Sequence, residues 1–74
     1  MDEEWQERAK ALLKAELKRK GVGYRALAER LNAIGAAESE RNIANKISRG
    51  GFSAAFLLQC LSVIGCATVR VDDA

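Results

Sequence analysis

Five side chains in one short segment carry most of the chemistry in this sequence: Arg41, Asn42, Asn45, Lys46 and Arg49. An asparagine amide offers a donor and an acceptor in one plane and matches the major-groove edge of adenine; an arginine fork does the same for guanine. Lysine and arginine also neutralise backbone phosphates, which gives affinity independent of sequence. At about 100° per residue, Asn42, Asn45 and Arg49 fall opposite Ile43, Ala44 and Ile47, with Arg41 and Lys46 on the flanks. One side of such a helix is held by a core and the other is free to meet double-stranded DNA. The spacing predicts base-edge contacts from Arg41, Asn42 and Asn45, and phosphate contacts from Lys46 and Arg49. An ordinary solvated face is the competing reading of the same stripe.

Charge distribution favours the first reading. The 74 residues carry 12 bases and 10 acids, a formal net charge of only +2. From Arg41 to Val71, however, there is no acid, while Arg41, Lys46, Arg49 and Arg70 are basic. A local positive potential is expected there despite the modest total.

Other chemistries find little footing. Histidine is absent, so no side chain shuttles protons near neutral pH without a large shift. The carboxylates fall mostly on the solvent side of the first two helices, and no base accompanies the two cysteines. Neither an enzyme nor a small-molecule substrate or cofactor is expected. Cys60 and Cys66 alone do not close a tetrahedral metal site, so no metal is expected either. They read as small hydrophobes in a reducing compartment. No apolar run approaches a membrane span and no signal-peptide pattern is present, so the expected location is the cytoplasm.

Four helices must position the stripe. The first is expected over about 3–20, with Trp5, Ala9, Leu12, Leu13 and Leu17 at helical intervals. Acids crowd its start and Lys18, Arg19 and Lys20 its end, an order that complements the helix dipole, and Gly21 stops it. The second runs over about 24–34, with Tyr24, Leu27, Ala28, Leu31 and Ile34 facing inward. Ser39 is a suitable N-cap for the third, over about 40–48, and Ser53 for the fourth, over about 53–64. The fourth is apolar most of the way round, so it is central or shared with a partner. The β-branched tail, about 67–71, reads as a short strand without a partner inside the chain. A homodimer is therefore expected, with Phe56, Val63, Val69 and Val71 at its interface.

Two helices joined by a short glycine-containing turn form the helix-turn-helix pattern. In that pattern the first helix crosses the DNA backbone with its N-terminal amides near phosphate, which adds Tyr24 and Arg25 as phosphate contacts. The segment YRALAERLN, with Leu27, Ala28 and Leu31, resembles the first helix of the phage-repressor type of helix-turn-helix domain. ANKISRG, with Ala44, Ile47 and Gly50, resembles the end of its recognition helix. LLQCLSVIGC resembles the helix that follows, closing on Ile64, Gly65 and Cys66. More narrowly, LLKAELKRKGV, RNIANKISRGGFSAAFLLQCL and IGC resemble a small bacterial family of unknown function assigned that fold. The chain departs from the repressor pattern in a longer turn, 34–38, and in Ser48 where a glutamate is common.

The resemblance implies an all-α, four-helix, phage-repressor-like domain with a short C-terminal strand, acting as a sequence-specific DNA-binding regulator of transcription. The alternative is a protein-interaction or dimerisation module on the same fold, with the basic stripe incidental.

Overall fold

The computed structural model describes residues 2–73. They form helices α1 (Asp2–Lys20), α2 (Tyr24–Ala33), α3 (Glu40–Arg49) and α4 (Ala54–Val63), then a single 3-10 turn at Val71–Asp73. The helices begin and end within a residue or so of the expected bounds, because their termini are written in side-chain chemistry. Ser39 Oγ accepts from the Asn42 amide at 3.1 Å, and Ser53 Oγ from the Phe56 amide at 3.0 Å. Three helices close in one way. The amide of Val22 reaches Leu17 O, that of Ala36 reaches Leu31 O and that of Cys66 reaches Leu61 O, each at 2.9 Å. This six-to-one bond ties an apolar residue past the helix to one in its last turn.

Leu13, Leu17, Val22, Leu27, Ala28, Leu31, Ile43, Ile47, Phe56, Cys60, Leu61 and Ile64 form one buried cluster. α2 packs on both α3 and α4, and α1 closes over the same two helices. At 19 residues α1 is about 28 Å long, against about 15 Å for each of the others, so its first turns overhang the core. The overhang explains one departure from expectation: Trp5 is 56% exposed, with the Arg8 guanidinium 4.7 Å from its ring centre. Ile34 also turns outward, 55% exposed, because α2 ends at Ala33 and the next residue leaves the helical face.

The tail corrects the sequence reading more substantially. Among the described residues there is no strand. Residues 66–70 run irregularly beside α1, Val69 packs against the core cluster, and the Cys66 thiol meets Thr68 O at 3.2 Å and Glu16 Oε1 at 3.4 Å. A β-branched run has high strand propensity only where a neighbouring strand receives it; here α1 receives it instead.

Several bases are absorbed into the fold. Lys10 donates to Ser48 O at 3.2 Å, Lys20 to Gly65 O at 3.3 Å and Arg30 to Val63 O at 3.2 Å. Each places a cation on carbonyls at a helix C-terminal end, where the dipole favours it.

Candidate nucleic-acid interface

α3 is held to the body by Ile43 and Ile47, both fully buried, with Ala44 half-buried beside them. Its last turn is fixed to α1. Gly50 adopts φ +75°, and a Cβ there would lie 3.0 Å from Gln6 O. The backbones of α1 and the α3 terminus therefore approach as closely as only glycine permits.

The opposite side of α3 is open. Arg41, Asn42, Asn45 and Arg49 are exposed, with Ser48 and Glu40 beside them. No hydrogen bond or ion pair within the described residues engages the side chains of Arg41, Asn42 or Asn45; Arg49 Nε makes only a long 3.5 Å approach to Asn45 O in its own helix. Residues 41, 45 and 49 lie one turn apart, with Asn42 alongside, so the four share one face. At the start of α2, Arg25 is exposed and Tyr24 half-buried against the core. Gly23 supplies no side-chain cap, which leaves the first-turn amides of α2 available to an anion.

Lys46 departs from the phosphate-facing placement. Its ammonium is paired with Glu38 Oε2 and stands 4.8 Å from the centre of the Phe56 ring. Helix geometry supplies the reason: Lys46 lies only about 80° round from the direction of Ile43 and Ile47, so its long side chain folds toward the body. Phe56 departs as well. At 4% exposed it belongs to the core, tilted against Phe52 with ring centres 5.5 Å apart, and does not lie on the outer side of α4. Val63 and Val69 are half-buried against that core, and Val71 is 64% exposed. The outer side of α4 consists of Ala54, Ala55, Leu58, Gln59 and Ser62, without a charge.

Sequence reasoning missed two buried carboxylates. Glu16 is 7% exposed and joins Arg19 at 3.1 Å to the Cys66 thiol. Burial pushes the Cys66 thiol up, helped by the hydrogen bond to Glu16 and its charge. The Glu38 side chain is 9% exposed, with Oε1 unpartnered. Cys60, fully buried near Glu38, has its thiol pushed up to about 12, mainly by desolvation and then by that carboxylate. For Glu16 the available signal was its place at i−1 to Leu17 on the inner face of α1. For Glu38 nothing in the local pattern marked it.

Residues 5–69 match DUF6471, a domain family of unknown function. The chain belongs to that family. No curated protein and no solved structure matches it. The DUF6471 match begins at Trp5 and closes at Val69, so it takes in all of α2, α3 and α4, the open face of α3 and the tail against α1. Among the described residues of this DUF6471 member, no group of three or more His, Cys, Asp or Glu is placed to hold a metal ion, and no helix is long and apolar enough to cross a membrane.

Proposed function

We propose that this DUF6471 domain binds duplex DNA as a helix-turn-helix protein of the phage-repressor type and regulates transcription. α2 lies across the backbone and α3 enters the major groove. One observation carries the reading: Arg41, Asn42, Asn45 and Arg49 stand exposed on one face of a helix whose other face is fixed by two fully buried isoleucines. Asn42 and Asn45 suit adenine edges, and Arg41 a guanine. Arg25, Arg49 and the uncapped start of α2 supply phosphate contacts, with the half-buried Tyr24 beside them.

The reading also sets a magnitude. With Lys46 paired internally, the face offers three arginines, Arg25, Arg41 and Arg49, to the phosphates and bases. Arg41 is assigned to a base edge, so the two phosphates neutralised by Arg25 and Arg49 give a slope of log K on log salt of about −1.8 per protomer. Fluorescence anisotropy against duplexes selected from a random pool, at several salt concentrations, tests this directly. Asn45→Ala is expected to relax preference at one base pair and to weaken binding there by about 1–3 kcal/mol. Equal affinity for every duplex, in wild type and variant alike, rejects base readout.

A second reading rests on the uncharged outer side of α4, where Leu58 is 66% exposed. A homodimer or assembly module would use that side with Val71 and leave the α3 face idle. No duplex binding at low salt, together with a mass in sedimentation that rises with concentration, would put this reading in place of the first.

A further inference from the structure

The connection between α2 and α3, residues 34–39, is pinned at both ends. Asn32 Nδ2 donates to Ala28 O at 2.7 Å and to Glu38 O at 2.7 Å, so one amide holds the end of the connection to the body of α2. Ser39 caps α3 immediately afterwards. Between them the Glu38 carboxylate turns inward, its side chain 9% exposed, and takes the Lys46 ammonium two turns along α3. Phe56 of α4 lies against that ammonium.

Stability is a poor explanation for this arrangement. The pair is part-buried, with the Lys46 side chain 40% exposed, so the cost falls on Glu38: a carboxylate turned inward loses hydration that its partner repays only with good geometry and full hydrogen bonding. Glu38 Oε1 has no hydrogen-bond partner among the described residues, so the burial of that carboxylate is incompletely compensated there. An ion pair is directional where apolar packing is not. It joins the connection to the last turn of α3 at a fixed distance, and it withdraws the only lysine of α3 from the open face.

We propose that the Glu38–Lys46 pair is a positioning clamp, which sets the tilt of α3 against α2 and so the register in which Arg41, Asn42 and Asn45 meet their target. The register clause rests on the duplex-binding reading. Neither Glu38 nor Lys46 touches the DNA in this scheme, and the pair is electrostatically silent because its two charges cancel.

The test uses the full chain carrying Glu38→Leu together with Lys46→Met, a change that preserves net charge and approximate volume. Circular dichroism and urea denaturation establish that it folds. The expected result is a ratio of selected-duplex to random-duplex affinity reduced tenfold or more, with an unchanged salt slope. Lys46→Arg, which keeps the pair, retains the ratio to within about threefold. An unchanged ratio in the double variant overturns the clamp. So does a salt slope shallower by about 0.9, because that places Lys46 on a phosphate. Hydrogen exchange separates the clamp from the DNA reading. Where wild type binds no duplex, faster exchange of the amides of residues 36–42 in the double variant, with α4 amides unchanged, keeps the clamp and removes only its target. Equal exchange in both proteins removes the clamp itself.

Discussion

Gly50 is where the site is attached to the rest of the molecule, and its replacement has a cost that can be divided into parts. Gly35 and Gly50 both end helices with positive φ, +85° and +75°. An alanine at either position carries the left-handed penalty, about 1–2 kcal/mol. The two differ in surroundings. A Cβ at Gly35 meets nothing within 4 Å, whereas at Gly50 it lies 3.0 Å from Gln6 O and 3.4 Å from Gln6 C. Those are backbone atoms of α1 and cannot rotate aside, so α1 must back away and strain the Lys10 bond to Ser48 O. Overpacking of that kind adds about 1–3 kcal/mol. Gly35→Ala is thus expected to lose about 1–2 kcal/mol, and Gly50→Ala about 2–5 kcal/mol. For a chain of this size, with a total of about 4–11 kcal/mol, the second is a large fraction. Urea denaturation followed by circular dichroism reads both, with equal m-values required for the comparison. Gln6→Ala in the Gly50→Ala background restores nothing, because the obstacle is a carbonyl. Equal losses at Gly35 and Gly50, or rescue by Gln6→Ala, would refute the close approach between α1 and the end of α3.

Two further outcomes follow from the charges. Arg49→Ala is expected to weaken binding to all duplexes alike and to flatten the salt slope by about 0.9, read by anisotropy; a loss confined to one sequence would make Arg49 a base contact instead. Cys60 titrates near 9 as an ordinary thiol and is pushed up to about 12 in the fold, so its contribution is complete below pH 9 and is lost as pH rises from 9 toward 12. At about pH 10.5 that amounts to roughly 2 kcal/mol, seen as a steeper fall in urea midpoint for wild type than for Cys60→Ala; parallel curves would show that the thiol is not desolvated.

Much of the architecture was legible because it is local. Ser39 and Ser53 cap the helices they were expected to cap, and a glycine closes each of the four helices where the periodic pattern stops. Ile43 and Ile47 are the buried side of α3, as their spacing requires. What was not legible depends on which segments meet. Nothing near Val69 says that α1 rather than a strand will lie beside it. Phe56 reads as surplus apolar surface on α4 until Phe52 and the ammonium of Lys46 lie against it. Glu38 is an acid in a turn, and only the fold of the connection brings it under α3. The face directions were legible, whereas the reach of a long side chain off the flank of a helix was not, and Lys46 is the example.

The same distinction governs what a count of bases can mean. The acid-free stretch from Arg41 to Val71 suggested a local positive potential, yet Lys46 is paired with Glu38 and Arg70 reaches Asp72 at 3.2 Å. Elsewhere Lys10, Lys20 and Arg30 hold helix ends. Those three keep their charge in exposed bonds, whereas Lys46 and Arg70 are offset by the acids they pair with, so only part of the stretch's basic charge is left uncompensated. On the duplex-binding proposal, the two phosphate-facing arginines, Arg25 and Arg49, would give about a 12-fold loss of affinity between 50 and 200 mM salt, against about 150-fold for two protomers acting together. On that proposal, so modest an electrostatic contribution would leave selectivity to the base contacts of Arg41, Asn42 and Asn45 and to the angle at which α3 is presented. That places the burden of the duplex-binding reading on geometry, and within the geometry on the connection that Asn32, Glu38 and Lys46 hold in place.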